Sequence, residues 1–88
     1  MSLLDHIDNY YEQQVLNELN AVVQGQDLDE DFLIDVLCVA LNSLPPKYYR
    51  HRVDMVFYLS TEERSEMTRR VRTAVREALE FVRSHRRE

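Results

Sequence analysis

Two places in this 88-residue chain can bend it sharply: Gly25, the only glycine, and Pro45-Pro46, the only prolines. Glycine reaches positive φ without steric cost, and proline is excluded from helix interiors. A chain punctuated so sparsely holds few elements joined by short connections, whereas a β-sandwich or barrel needs many turn residues. The pattern predicts a mainly α domain of three to four helices spanning residues 1–88. The length supports one small core rather than two, and a core this small is commonly reinforced by association with a second copy.

Hydrophobic periodicity places the helices. Leu4, Ile7, Tyr11, Val15, Leu19 and Val22 recur at spacings of three and four and predict a first helix over 3–24. Ser2 suits its N-cap and Gly25 its C′ position. A second helix is expected over about 29–43, with Asp27, Asp29, Glu30 and Asp31 crowding the end where the helix dipole favours negative charge. Phe32, Leu33, Val36, Leu37, Ala40, Leu41 and Leu44 give it a broad apolar face. Ile34, Cys38 and Val39 make it apolar nearly all round, as suits a helix buried by two neighbours or by a partner chain. Pro45-Pro46 ends it.

The stretch "VDMVFYL" is rich in β-formers and alternates in part. Two readings stay open: one short strand near 53–59, paired with its own copy across a dimer axis, or an irregular extended segment. The last helix is marked at its start by "STEE", a capping box with Ser60 as N-cap and Glu63 at N3. Met67, Val71, Ala74, Val75, Ala78, Leu79 and Val82 mark its apolar face to about residue 84. Arg69, Arg72, Arg76 and Arg83 lie on an adjoining face, and Glu66 is spaced to pair with Arg70. "RSHRRE" reads as a frayed tail.

Composition narrows the chemistry. Cys38 is the only cysteine, which rules out an intrachain disulfide and a cysteine-built zinc site, and its apolar neighbours predict a buried thiol. The acidic start "MSLLDHID" lacks the basic region of a signal peptide, and no apolar run nears the roughly 20 residues of a membrane span. A cytoplasmic protein is expected. One glycine cannot build a phosphate loop, and Ser43 lacks a nucleophile elbow. His6, His51 and His85 share no metal-ligand spacing, and Asp29, Glu30 and Asp31 read as a solvated helix start. The expectation is a protein that is no enzyme and carries no cofactor or metal.

The formal net charge of −5 hides a division. Residues 1–44 hold nine Asp/Glu and no Lys/Arg, while residues 45–88 hold eleven Lys/Arg and seven Asp/Glu. Overall acidity disfavours a general nucleic-acid binder, yet a local basic patch can still take a small anion. Lys47, Tyr48, Tyr49, Arg50, His51 and Arg52 supply such a patch directly after a stiff Pro-Pro. Arginine forks onto phosphate or the O6/N7 edge of guanine, and tyrosine or arginine stacks on a base. The blander reading makes Tyr49, Phe57 and Tyr58 core, with Arg50 and Arg52 paired to the acidic first half.

The run "DVLCVALNSLPPKYY", Asp35 to Tyr49, resembles the signature of the late competence development ComFB family. In that signature an aliphatic helix leads into Ala-Leu-Asn, a variable residue, Leu-Pro-Pro, a variable residue and Tyr, matched here by Ala40, Leu41, Asn42, Leu44, Pro45, Pro46 and Tyr48. The resemblance implies a small, mainly helical, cytoplasmic bacterial homodimer that regulates rather than catalyses. Some members are receptors for cyclic dinucleotides, cyclic di-GMP in particular. One branch binds zinc through a cysteine cluster, which Cys38 alone cannot form. Carried onto this chain, the resemblance suggests that Asn42 caps the second helix and that Pro45 and Pro46 turn the chain. It further suggests phosphate contacts from Lys47 and Arg50, guanine-edge contacts or stacking from Arg52 or Arg72, and stacking from Tyr48. Arg69, Arg72 and Arg76 would complete the pocket near a dimer interface.

Two functions follow. One is a dimeric receptor for a cyclic dinucleotide, cyclic di-GMP favoured, that relays the signal to a protein partner without engaging membrane or nucleic acid. The other is a ligand-independent adaptor that docks through its bipolar surface.

Overall fold

The computed structural model describes residues 2–85. The chain does not enter its first helix at Leu3. Ser2 and Asp5 form a capping box around a single 3-10 turn, Leu3–His6, and the backbone then extends through Ile7 into strand β1, Asp8–Asn9. Helix α1 runs Tyr10–Val22 and is capped by Asn9, whose side chain accepts the Tyr11 N–H at 3.2 Å. A short polar side chain that bonds its own neighbouring backbone offers an alternative to helix, and here it splits the expected 3–24 helix at residue 9. Leu3 and Leu4 are left 87% and 72% exposed, and of the stripe only Tyr11, Val15 and Leu19 reach the core. Val23 is the C-cap of α1, and Gly25 follows at φ +83, a conformation that other side chains enter with strain.

Helix α2 spans Glu30–Asn42, as the acidic start predicts, with Asp29 accepting the Phe32 N–H at 2.7 Å. Phe32, Val36 and Ala40 are buried, and Leu33, Leu37, Val39 and Leu41 are half-buried. The expected burial of Cys38 does not hold: α2 packs chiefly against α4 and α1, and Cys38 and Ile34 are left exposed. Nor does Asn42 act as the C-cap. It is the last helical residue, and Ser43 is the cap, its hydroxyl donating to the Ala40 carbonyl at 2.8 Å.

Helix α4, Thr61–His85, begins as read: the Ser60 N–H donates to Glu63 at 3.1 Å and the Glu63 N–H donates to Ser60 Oγ at 3.0 Å. All seven apolar positions named for it are buried. The helix extends through Arg83, Ser84 and His85, so the first half of the expected frayed tail is helical, and residues 86–88 lie outside the described residues. Helices α1, α2 and α4 pack pairwise around one apolar cluster in which Val15, Leu19, Val36 and Val75 are fully buried. Each such side chain contributes about 1.5–3 kcal/mol by leaving water. No helix among the described residues is long and apolar enough to cross a membrane.

The segment after Pro-Pro corrects the sequence reading. The strand is β2, Tyr48–Tyr49, upstream of 53–59, and it pairs antiparallel with β1 in the register Asp8↔Tyr49 and Asn9↔Tyr48. Its partner is thus the chain's own N-terminal segment, not a second copy. Residues Arg52–Tyr58 form helix α3. As a strand, this segment would alternate its apolar residues across two faces with only a two-residue ladder beside it. As a helix it brings Met55 to the core, with Leu59 at i+4 buried beside it. Phe57 and Tyr58, which the blander reading placed in the core, are exposed.

Candidate functional site

The Pro-Pro turn delivers the basic-aromatic stretch to the start of α1, and one oxygen holds it there. Asn9 Oδ1 accepts both the Tyr11 N–H at 3.2 Å and the Lys47 N–H at 3.0 Å, while the Tyr10 N–H donates to the Lys47 carbonyl at 2.6 Å. This clip sets β2 beside β1 and leads the chain directly into α3.

A groove of about 420 Å3 opens between the start of α1 and α3. Tyr49, Arg52, Met55 and Val56 form one wall, Asp8, Asn9, Tyr10, Glu12, Gln13 and Gln14 another, and Leu59 and Arg64 close its end. Arg64 is shared with a shallower recess of about 400 Å3 along α4, lined also by Thr61, Ser65, Thr68 and Arg72. Arg52, Arg64 and Arg72 are exposed and make no salt bridge among the described residues. Three guanidinium groups, two half-buried phenols and three hydroxyls thus face one continuous surface, with two carboxylates at its far wall.

The structure divides the residues singled out from sequence. Arg52 and Arg72 lie on this surface. Tyr48 is exposed on the outside of β2, and Tyr49 faces the groove in its place. Lys47 lies in a separate recess with Pro45, Pro46, Tyr11 and Met67, rimmed by Glu62, Glu63, Glu66 and Arg70. The Ser60 N–H and hydroxyl hold the Glu63 carboxyl below its ordinary 4.5, and the charge of Lys47 lowers it further, so this ammonium already has an anion near it. Arg69 is bonded to Glu66, its Nε at 3.0 Å, and Arg70 Nε reaches the same carboxylate at 3.3 Å. Arg69, first by hydrogen bonding and then by charge, is the chief cause of the lowered Glu66 pKa, and Glu66 raises that of Arg69 in turn. Arg50 and Arg76 line none of these recesses.

Sequence reasoning missed Arg64, Asp8 and Glu12. Arg64 had one available signal: it shares a helical face with Thr68 and Arg72 at spacings of four and eight. Asp8 and Glu12 had none, because only the β1–β2 pairing brings them opposite Tyr49 and Arg52. No group of three or more His, Cys, Asp or Glu among the described residues is placed to hold a metal ion.

What these features define is a small helical domain with an open, arginine-lined groove beside a Pro-Pro turn. Residues 8–86 match the family model of the late competence development protein ComFB, and the chain belongs to that family. No curated protein and no solved structure matches the chain.

Proposed function

We propose that this protein is a non-enzymatic cytoplasmic regulator that, as a homodimer, binds a cyclic dinucleotide, cyclic di-GMP favoured, and passes the bound state to a protein partner. The observation that carries the reading is the groove in which Tyr49, Arg52 and Arg64 face Asp8 and Glu12. Guanidinium groups match phosphate oxygens and the O6/N7 edge of guanine, and a phenol ring offers a stacking surface. A carboxylate accepts from the N1–H and N2–H2 donors that guanine carries and adenine lacks, so the acidic wall favours the guanine form. A volume of about 420 Å3 lies within the range of small-molecule sites. Family membership supports the same reading.

Isothermal titration calorimetry with cyclic di-GMP, cyclic di-AMP and GTP tests it. Saturable binding of cyclic di-GMP, weakened by Arg64→Ala and by Asp8→Asn, is expected. A folded protein that gives no heat with any of the three removes the receptor reading. The adaptor reading would then lead, favoured by the apolar outer surface of α3 and tested by partner pull-downs at rising salt.

A further inference from the structure

Helix α2 buries Phe32, Val36 and Ala40, and the side turned away from them has a pattern of its own. Ile34, Leu37, Cys38 and Leu41 stand at i, i+3, i+4 and i+7, the spacing at which one helix presents an apolar seam to another. Ile34 is 47% exposed, Cys38 is exposed, and Leu37 and Leu41 are half-buried. Glu30, Asp31 and Asp35 flank the seam, all of them exposed and none in a salt bridge among the described residues. No cation stands with them on α1 or α2, because residues 1–44 hold no Lys or Arg. Arg83 of α4 reaches α2 on its packed side, over the buried Phe32 ring at 6.0 Å. The outer face of α2 is thus apolar along its middle and of one charge sign along its flanks.

We infer that this face docks an amphipathic helix of a partner protein, its apolar side laid along Ile34, Leu37, Cys38 and Leu41 and its Lys or Arg flanks set against Asp31 and Asp35. The inference rests on the relay to a protein partner in the proposed function and is independent of the nucleotide. A second copy of α2 laid on the same face would set acid against acid, because the helix carries no Lys or Arg. An anionic bilayer surface is repelled for the same reason. Helix α2 has 13 residues and is about 20 Å long, enough to seat a partner helix of about three turns. Cys38, the only cysteine, lies within the seam and reports its coverage.

Two synthetic helical peptides test it, alike in a leucine seam, one flanked by Lys and the other by Glu. Amide shifts of the isotope-labelled chain locate each peptide, and the rate of Cys38 alkylation by iodoacetamide reads coverage of the seam. The Lys peptide is expected to shift the amides from Asp31 to Asn42 and to slow alkylation, while the Glu peptide does neither. Ile34→Ser should weaken the Lys peptide about five-fold with an unchanged circular-dichroism melt. Asp35→Lys should weaken the Lys peptide about three-fold, and adding Asp31→Lys should exchange the preference between the two peptides. A Lys peptide that gives no shifts, or shifts other elements and leaves Cys38 open, overturns the α2 face. Equal binding of both peptides, or a preference that the Asp31→Lys and Asp35→Lys pair leaves unchanged, overturns the basic partner. Either failure leaves the receptor reading standing, because the nucleotide titration decides that separately.

Discussion

Helix α2 and the segment from Tyr48 to Tyr58 are both rich in apolar side chains, yet α2 turns most of them inward and the segment most of them outward. Along α2, Phe32, Val36 and Ala40 repeat at intervals of four and bury one stripe against α1 and α4. In the second segment Val53, Val56 and Phe57 also keep helical spacing, yet they face water together with Tyr48 and Tyr58. Neither apolarity nor period alone therefore says where a residue goes; a neighbouring element to pack against decides it. The bundle carries stability, and the loosely held segment beside it carries a wall of the groove.

The strongest attempt to break this division is a pair of truncations. Leu19→Ala, at a fully buried position, should cost about 2–5 kcal/mol, enough to unfold much of a small domain, whereas Phe57→Ala should stay within about 0.5 kcal/mol. Urea unfolding measures both, and equal losses would sink the distinction. A second comparison sharpens the segment itself. Arg52→Ala and Arg64→Ala should each lose about 1.5–3 kcal/mol of cyclic di-GMP affinity by calorimetry, while Lys47→Ala, set among carboxylates, changes it little. If Lys47 proves the dominant contact, the ligand occupies the Pro-Pro recess instead.

Asn9 joins the two regions, and Asn9→Ala removes one acceptor from two backbone donors. A loss of about 1–2 kcal/mol in thermal melts is expected, and a silent substitution would mean the clip holds nothing. The smallest effect is on pH. Glu63 has its folded-state pKa lowered by Ser60, so its contribution is complete above 4.5 and fades as pH falls through the lowered value. Melts of wild type and Glu63→Gln should converge as the solution is acidified. A gap that stays constant would show that the cap acts without the carboxylate.

Legibility in the sequence follows the same physics. The start of α4 was readable because Ser60 and Glu63 bond each other within one turn, and the start of α2 because Asp29 caps locally. The true start of α1 was hidden because Leu3, Leu4 and Ile7 keep helical spacing, while the strand that holds Asn9 in place as the cap takes its pairing from residues far along the chain. Exposure of Cys38 was hidden because an all-round apolar helix does not announce which side lacks a neighbour. In the site, Arg52 and Arg72 were legible as basic residues of the right type. The groove's acidic wall was not, because it exists only through a pairing between residues about 40 positions apart.

That pairing also bears on the order of folding. The contact from Lys47 to Asn9 closes a span of 38 residues, at an entropic cost of about 3 kcal/mol before any loop constant. The α1–α2 hairpin closes over the short turn at Gly25 and pays far less. The hairpin should therefore form in the folding transition state, with the clip closing after it. Asn9→Ala would then speed unfolding and leave the folding rate nearly untouched, so the segment that presents the groove is also the first to open and the last to close.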